Sequence, residues 1–228
     1  MTVILITGAN KGIGYETARQ LLALGHVVYL GARDAGRGEQ AAATLGARFV
    51  PLDVTDDASV RDALRTVDAA EGRLDVLINN AGILADGALD GPTALRAFDT
   101  NAVGVLRVTE AALPLLRKSP DPAVVTVSSS LGSFWAVTNP WRGEYGLPLA
   151  IYAASKAAAT MLTVQYAKAH PGIRFNALEP GPTATDLTAA YGVGRPVEES
   201  AAVVVRLATL GADGPTGTLQ DENGVFPF

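Results

Sequence analysis

The sequence predicts an open, doubly wound α/β fold, in which a parallel sheet carries helices on both faces. Short apolar runs of the β type alternate along the chain with longer Ala- and Leu-rich segments whose apolar residues have helical spacing. The β-type runs are apolar throughout rather than at every second position, as expected for strands that are buried on both faces. Strands that are close in sequence and separated by a helix pair in parallel through a right-handed crossover, which places helices on both sides of the sheet.

The elements are expected in strict alternation along the chain. Strands are predicted over residues 3–7, 27–31, 48–51, 76–78, 123–128 and 173–177. Helices are predicted over residues 12–24, 38–45, 58–70, 98–117 and 152–169, and Pro114 is expected to interrupt the fourth of them and kink it. Two stretches, residues 130–150 and 183–196, break the alternation after strand ends. Because such sheets bind ligands at that edge, we expect a substrate loop in the first stretch and a mobile lid in the second.

Size and composition limit the classes of protein to consider. The 228 residues, of which 48% are hydrophobic, suffice for one large core, and a single domain spanning 1–228 is expected. The 18 Lys and Arg against 23 Asp and Glu give a net charge of −5, which offers neither nucleic acid nor an anionic membrane an overall attraction. The sequence has no cysteine, which excludes disulfides, thiolate nucleophiles and thiolate zinc sites.

Two further expectations concern metals and location. The two histidines, His26 and His170, have no ligand motif around them, so no metal site is expected. The sequence shows neither a signal-peptide pattern nor an apolar run of about 18 residues, so a cytoplasmic location is expected.

A glycine-rich turn follows the first strand. It reads Thr7-Gly8-Ala9-Asn10-Lys11-Gly12-Ile13-Gly14 and leads into a helix. Its three glycines permit a tight turn, allow backbone N–H groups to approach a pyrophosphate, and let the helix lie close to the sheet. A βα turn without a ligand is the alternative, but the place of the turn after the first strand favours a nucleotide. Because the turn lacks the Gly-Lys-Ser/Thr ending of a triphosphate-binding loop, a dinucleotide is the better interpretation.

Further motifs follow in a fixed order. They are Asn79-Asn80-Ala81-Gly82, Asn101 in a helix, Ser128-Ser129-Ser130-Leu131-Gly132, Tyr152-Ala153-Ala154-Ser155-Lys156, and Pro180-Gly181. Together with the glycine turn they resemble the TGxxxGxG, NNAG, helix Asn, SSxxG, YxxxK and PG motifs of the short-chain dehydrogenases/reductases. The resemblance covers nearly the whole chain and includes the carbonyl-reductase-like members. It implies a single-domain Rossmann fold and an oxidoreductase.

Tyr152 and Lys156 form a pair with a chemical rationale of its own. Residues four apart share a helix face, so the lysine ammonium can lie near the tyrosine hydroxyl. Bringing the pKa of a tyrosine from its usual value of about 10 to near 7 requires a shift of roughly 3 units, or about 4 kcal/mol. One ammonium in a dry cleft, helped by an oxidised nicotinamide, is expected to supply this. Tyr152 is thus predicted to be the general acid in carbonyl reduction and the general base in alcohol oxidation.

The resemblance adds Ser129 and Asn101 to this catalytic pair. Ser129 aligns with the family's catalytic serine and is expected to hydrogen-bond the substrate oxygen, whereas Ser128 and Ser130 are rival candidates. Asn101 is expected to hold a water beside the lysine and so complete a proton relay. As an alternative, an asparagine inside a helix can simply pair with backbone.

The predicted cofactor is NADP(H), with NAD(H) as the less favoured alternative. Sheets that bind NAD place an acidic residue at the end of the second strand, and an arginine there accommodates a 2′-phosphate. In our alignment Ala32 takes the acidic position, Arg33 follows it and Lys11 adds a second cation, which resembles the NADP-preferring members. A small shift in that alignment would make Asp34 a ribose ligand instead. The predicted cofactor-binding residues are Gly8, Asn10, Lys11, Gly12, Ile13, Gly14, Arg33, Asp53, Val54, Asn80, Ala81, Gly82, Tyr152, Lys156, Pro180, Gly181, Thr183 and Thr185.

The segment before Tyr152 is longer than is usual in the family. It points to an insertion of about ten residues that contains Phe134, Trp135, Trp141 and Tyr145. These side chains are expected either to form an aromatic wall for an apolar carbonyl substrate or to bury one another against the body of the protein. Family members pair through the helices carrying Asn101 and the tyrosine, so a homodimer or homotetramer is a possibility that the longer segment can obstruct.

The sequence therefore predicts an NADP(H)-dependent oxidoreductase that transfers a hydride between the nicotinamide and a carbonyl or secondary alcohol, without a metal. Its partner is expected to be a small-molecule substrate. The alternative is a sensor that binds NADP without turnover, although binding alone would not require the four catalytic residues together. Glu179, before Pro180, is an uncommon neighbour for which the motifs give no account.

Overall fold

A computed structural model describes residues 1–84, 88–189, 192 and 194–228. Its centre is an eight-stranded sheet in the order β3-β2-β1-β4-β5-β6-β7-β8, parallel except for the antiparallel pair of β7 and β8. The strands are β1 (Val3–Ile6), β2 (Val27–Ala32), β3 (Arg48–Pro51), β4 (Val76–Asn79), β5 (Ala123–Val127), β6 (Arg174–Leu178), β7 (Thr218–Asp221) and β8 (Gly224–Phe226).

Helices cover both faces of this sheet. They are α1 (Gly12–Ala23), α2 (Ala35–Leu45), α3 (Asp57–Glu71), α4 (Gly91–Phe98), α5 (Gly104–Leu116), α6 (Phe134–Thr138), α7 (Ala150–Ala169) and α8 (Val197–Ala208). Alternate side chains of β1 point to opposite faces of the sheet and pack against different helices. Val3 and Leu5 pack with α3, α5 and α7, whereas Ile4 and Ile6 pack with α1, α2 and α8. All four β1 side chains are buried, which is why the strand is apolar throughout.

The predicted fold class is confirmed, and all six predicted strands are present. Two of them end one residue early, because β1 ends at Ile6 and β5 at Val127. Helix α2 begins at Ala35 rather than at residue 38, because the Asp34 carboxylate caps it by accepting a bond from the Arg37 N–H. Pro114 lies inside α5 but does not end it.

The sequence analysis missed α4, α8 and the last two strands. The Val203–Val205 run of α8 has the β-branched character of a strand, and packing against α1 outweighs that preference. The predicted helix over 98–117 is divided, since residues 99–103 form a π-turn between α4 and α5. The stretch 130–150 is not a plain loop, because it contains α6 and two 3₁₀ turns.

The order of the strands determines where the candidate site lies. From β1 the chain builds outward to β2 and β3 on one side and then returns to add β4 on the other. The connections after β1 and β4 therefore leave the sheet in opposite directions and open a crevice at the carboxyl ends of these strands. Among the described residues, no helix is both long enough and apolar enough to span a membrane.

Candidate active site

The glycine turn lies in this crevice, directly against the end of β4. Gly8 and Gly12 have positive φ angles of 62° and 57°, which favour glycine. A Cβ atom on Gly8 would lie 2.9 Å from the Ala81 Cα, and one on Gly14 would lie 2.4 Å from the Asn80 Nδ2. The two segments thus touch only because these positions have no side chain.

The start of α1 is open to a ligand. The helix begins at Gly12, and no side chain in the described part of the chain caps its first turn. Its N–H groups and the positive end of the helix dipole meet the crevice, which is the arrangement that binds phosphate groups. The residues present therefore fit the pyrophosphate of a dinucleotide. The Thr185 methyl group also faces this turn, since a Cβ on Gly12 would lie 3.4 Å from it.

Asn80 and Thr7 hold the turn in shape. The Asn80 Nδ2 donates to the carbonyl oxygens of Thr7 and Gly8 at 2.9 and 3.0 Å. The Thr7 hydroxyl accepts bonds from the backbone N–H groups of Asn80 and Ala81, both at 3.0 Å. The Asn80 amide nitrogen is therefore engaged within the protein, and its contribution to a cofactor site is to fix the glycine turn.

Cations surround the end of β2. Arg33 is exposed there, and Arg37, which the sequence analysis did not select, follows one turn later in α2. The Asp34 carboxylate pairs with the Arg37 Nε at 2.7 Å, and the hydrogen bonds from Arg37 lower the pKa of Asp34. Lys11 pairs with Asp186 at 2.7 Å across the crevice. Asp34 is therefore engaged as the cap of α2, and the alternative in which it binds a ribose stays a prediction.

Asp53 and Val54 follow β3 near this charged group. Burial raises the pKa of Asp53, but hydrogen bonds from Thr55 and the positive charges of Arg33 and Arg107 outweigh it, so the pKa is lowered overall. The Val54 carbonyl oxygen accepts a bond from Arg107 at 2.7 Å. Both residues are thus hydrogen-bonded within the protein, after the strand where the sequence predicts the adenine.

Tyr152 and Lys156 lie on one face of α7, as predicted. Both side chains are buried, with 9% and 5% of their surface exposed, and the ammonium lies 5.8 Å from the centre of the tyrosine ring. The Lys156 Nζ also donates to the carbonyl oxygen of Val127 at 2.8 Å, which ties α7 to the end of β5. A Cβ on Gly82 would lie 3.3 Å from this Nζ. The pair therefore borders the crevice.

The three serines after β5 have different surroundings. Ser128 is buried and bonds to the Lys156 carbonyl oxygen and the Thr160 hydroxyl, so it joins β5 to α7. The Ser130 backbone N–H donates to a carboxylate oxygen of Glu179. The Ser129 hydroxyl accepts a bond from the Leu131 N–H at 3.2 Å, and its influence lowers the pKa of Tyr152. The assignment of the catalytic serine to Ser129 stays a prediction.

Burial and charge shift both members of the Tyr152–Lys156 pair. Burial raises the pKa of Tyr152, and the negative charge of Glu179 raises it further, against the smaller influence of Ser129. Burial lowers the pKa of Lys156 to about 8, although Glu179 acts in the opposite direction. Loss of water around the hydroxyl is the largest of these influences on Tyr152. The expectation that Lys156 and an oxidised nicotinamide together lower the tyrosine pKa towards 7 stays a prediction.

Asn101 lies in the π-turn and is almost fully buried. Its Oδ1 accepts a bond from the Ile83 N–H, and its Nδ2 donates to the Ile83 carbonyl oxygen and the Ser155 hydroxyl, all at 2.9 Å. The amide therefore joins the segment after β4 to α7, as the backbone-pairing alternative anticipated. The Oδ1 atom keeps a second acceptor position, and a Cβ on Gly82 would lie 3.4 Å from it. The predicted water relay stays a prediction.

The segment after β6 closes the other side of the crevice. Gly181 has a φ of 73°, and the Pro180 carbonyl oxygen accepts bonds from Arg195 and Ser200 at 2.6 and 2.8 Å. The Thr183 hydroxyl is buried and bonds to Ser200, so this predicted cofactor residue is engaged within the protein. Ala190, Tyr191 and Val193 of the predicted lid lie outside the described residues.

The aromatic residues of the stretch 130–150 are divided between two environments. Trp135 packs edge-on against Phe226 with ring centres 5.7 Å apart, and Arg142 lies over both rings. Trp141 and Phe134 are 93% and 73% exposed. Trp135 therefore packs against the body of the protein, as one of the two alternatives expected, whereas Trp141 and Phe134 face outward.

Comparison with known proteins identifies the chain. Residues 2–194 match the family model described as short chain dehydrogenase. The chain belongs to the short-chain dehydrogenase/reductase family. It is 35% identical to a short-chain dehydrogenase/reductase from Stachybotrys chlorohalonatus, with 98% of this chain and 89% of the relative covered. It is 33% identical to (+)-neomenthol dehydrogenase from Arabidopsis thaliana, over 90% of each chain.

Solved structures agree with this assignment. The NADPH-bound carbonyl reductase from chicken fatty liver superposes with a TM-score of 0.86 at 29% identity, over the full length of both chains. Salutaridine reductase from Papaver somniferum gives a TM-score of 0.83 at 28% identity, covering 96% of this chain and 99% of the other. The short-chain dehydrogenase/reductase described here is thus an oxidoreductase for carbonyl or alcohol substrates, and the resemblance seen in its motifs is confirmed.

Several residues of the site were not selected from the sequence. They are Arg37, Arg142, Glu144, Arg195 and Ser200. Only Arg37 has a detectable sequence signal, since it follows Arg33 and Asp34 at helical spacing. The others approach the crevice from segments that are distant in the chain, and no local pattern marks them.

Proposed function

We propose that this enzyme is an NADP(H)-dependent carbonyl reductase in which Tyr152 is the general acid. The observation that carries the proposal is the buried Tyr152–Lys156 pair, with Ser129 beside it, at the edge of the crevice that the glycine turn forms. The carbonyl reductase structure that superposes on the whole chain is described as NADPH-bound, and this supports the same cofactor here.

The cofactor preference rests on charge. The 2′-phosphate of NADP would meet Lys11, Arg33 and Arg37, whereas Asp34 is held as a helix cap by Arg37. The backbone N–H groups at the start of α1 would hold the pyrophosphate, and Asp53 and Val54 would border the adenine. Pro180, Gly181 and Thr185 would lie along the nicotinamide end. When bound, the nicotinamide supplies the hydride for reduction.

The protein's own residues would then place the substrate and deliver the proton. The Ser129 hydroxyl would donate a hydrogen bond to the carbonyl oxygen and orient it towards Tyr152. The Tyr152 hydroxyl would donate its proton to the same oxygen as negative charge develops there. The Lys156 ammonium would stabilise the resulting phenolate, which is costly in a buried site without a cation. The high pKa of Tyr152 keeps the hydroxyl protonated before the reaction.

A first experiment tests binding and turnover together. The purified protein is titrated with NADPH and NADH in parallel, and the absorbance of the nicotinamide is followed with a panel of ketones, aldehydes and quinones. We expect tighter binding of NADPH and oxidation of NADPH with at least one carbonyl. Tight binding without oxidation across the panel would favour the sensor, and no binding of either dinucleotide would contradict both functions.

Tyr152→Phe tests the proton transfer. The variant should retain NADPH affinity within a few fold, because the hydroxyl is not a phosphate ligand, while carbonyl reduction falls below detection. Tyr166→Phe is the matched control, since Tyr166 lies on the same helix and bonds to Glu110 away from the crevice. Full activity in Tyr152→Phe would exclude the proposed role.

A further inference from the structure

A buried carboxylate stands between the two loops that would receive substrate and cofactor. Glu179 follows β6 and is 8% exposed. Its backbone N–H donates to the Gln220 carbonyl oxygen at 2.7 Å, which fixes the residue to β7. No step of the proposed mechanism uses it, and burying a carboxylate is costly unless it is paired and hydrogen-bonded.

Each oxygen of Glu179 holds a different loop. Oε2 accepts a bond from the Ser130 N–H at 2.6 Å, and Oε1 accepts one from the Gly181 N–H at 2.7 Å. Ser130 adjoins Ser129, whereas Gly181 belongs to the segment expected at the nicotinamide. Both bonds have the short length of charge-assisted hydrogen bonds. One side chain thus sets the separation of the two loops.

The other polar groups around Glu179 explain how its charge is tolerated. Burial raises the pKa of Glu179, whereas the two N–H bonds and the positive charge of Arg195 favour the carboxylate. Arg195 also bonds to the Pro180 carbonyl oxygen, so the Pro180–Gly181 segment is held from both sides. Glu144 repels the Glu179 carboxylate but is neutralised by a two-bond pair with Arg142 at 2.7 and 3.0 Å. The remaining charged or titratable groups that respond to Glu179 are Tyr152, Lys156 and Arg142.

We propose that Glu179 is a positioning residue, whose carboxylate holds the Ser129 loop and the Pro180–Gly181 segment at the separation that carbonyl reduction requires. This inference rests on the proposed function. It deepens that function because proton transfer and hydride transfer must reach adjacent atoms of one carbonyl group, and a small misplacement of either loop lowers the rate strongly. The negative charge has a second effect, since it favours the ammonium form of Lys156.

Glu179→Gln tests the inference. An amide has one acceptor oxygen and one NH₂ donor. It can therefore accept a bond from only one of the two N–H groups, and the other N–H group faces the amide NH₂ and loses its acceptor. We expect kcat for reduction to fall by about ten- to a hundredfold, because a small misplacement of the reacting groups lowers the rate by this order, and we expect a higher KM for NADPH. The alkaline limb of the kcat/KM profile should also move to lower pH, because Lys156 loses the charge that favours its ammonium.

Glu179→Asp separates the two effects and serves as the second variant if the glutamine variant does not fold. Its carboxylate is one methylene shorter and cannot span both N–H groups, so kcat should fall while the alkaline limb stays close to that of the wild type. Glu71→Gln is the matched control. Glu71 is a partly buried carboxylate that accepts a bond from Tyr29 at 2.9 Å, outside the crevice. It should lose some stability without a change in kcat, KM or pH profile.

The outcomes distinguish this inference from the proposed function. If the wild type reduces carbonyls and both Glu179 variants keep its kcat and pH profile, Glu179 does not position the loops and only this inference fails. If the wild type binds NADPH but reduces no carbonyl, the proposed function fails. Weaker NADPH binding in both Glu179 variants, but not in Glu71→Gln, would then still support the link to Gly181, and unchanged binding would refute it.

Discussion

The protonation states of the side chains in the crevice depend on the balance between burial and nearby charges. Lys156 is buried beside Tyr152, and burial lowers its pKa to about 8 from the usual value above 10. It nevertheless remains an ammonium at neutral pH, helped by Glu179. Among the described residues, Lys156 is the cation that lies beside the Tyr152 ring, and the Ser129 hydroxyl adds a smaller influence in favour of the phenolate form. The chemistry of the pair therefore depends on keeping Lys156 charged.

The pH dependence of reduction follows from that condition. As the pH rises through about 8, Lys156 loses its proton and with it the cation that stabilises the phenolate, so kcat/KM should fall on the alkaline side. Initial rates between pH 6 and 10 check this expectation. A profile that stays flat to pH 10 would show that Lys156 does not titrate in this range. Lys156→Arg should have low activity without the alkaline limb, because a guanidinium stays charged.

The charge at the end of β2 decides between the two dinucleotides. Arg33→Ala should weaken NADPH binding much more than NADH binding, since only NADPH carries the 2′-phosphate. Parallel fluorescence titrations measure both affinities. Arg65→Ala removes another exposed arginine, one paired with Asp62 on α3, and should change neither. Equal loss for both dinucleotides would place Arg33 outside the phosphate site.

At the scale of the elements, short connections bring distant segments together. The turn after β5 packs directly on α7, and Gly132 makes this possible. A Cβ at position 132 would lie 2.7 Å from the backbone of Lys156 and Ala157. The π-turn before α5 similarly directs Asn101 into the crevice, as such turns often do at functional sites.

Gly132→Ala should therefore disturb the site. The added methyl group must displace the turn at 128–132 from α7, because the atoms that it meets belong to the helix backbone and cannot move aside as a flexible side chain could. We expect a loss of about 1 to 3 kcal/mol in the free energy of unfolding, as overpacking typically gives, together with reduced kcat. Denaturant titration and steady-state rates test both. Gly143→Ala is the control within the same stretch, since a Cβ there meets no described atom within 4 Å. Equal behaviour of the two variants would contradict the packing argument.

The ion pair between the glycine turn and the segment after β6 competes with the proposed phosphate site. Asp186 and Lys11 are both largely exposed, with 77% and 57% of their side chains accessible. Asp186→Asn should release Lys11 and raise the affinity for NADPH several-fold at low salt, with a smaller gain at high salt because ions screen the charge. Asp213→Asn, an exposed site elsewhere, should have no effect. Unchanged or weaker NADPH binding in Asp186→Asn would contradict the competition.

At the scale of the whole molecule, one sheet separates two layers of helices and leaves one edge for ligands. The reversal of strand order between β1 and β4 creates the crevice, and the carboxyl ends of β4, β5 and β6 supply its walls. The glycine turn follows β1, the serine-containing turn at 128–132 follows β5, and the Pro180–Gly181 segment follows β6. Their proximity is a property of the parallel sheet, whose strand ends all point to the same edge.

The sequence determined the fold class, six strands and the identity of the family. Apolar continuity indicates burial on both faces, and the motifs occur in a fixed order at strand ends and on helices, so both features are local and can be read along the chain. Tyr152 and Lys156 could be paired because helical spacing fixes their face. The elements that were missed depend on packing instead. β7 and β8 are short, and α8 contains a valine run that resembles a strand until it packs on α1.

Only the tertiary structure decided how the candidate residues are used. It gave the three serines different hydrogen-bond partners, because the direction of each side chain at a strand end depends on what packs there. It showed that Asp34 caps a helix and that Asn101 bonds to Ile83. It also brought Glu179 to both loops of the site. Burial and the charges contributed by distant segments set the pKa values of the catalytic pair, and these quantities depend on which residues meet in space rather than on their order in the chain.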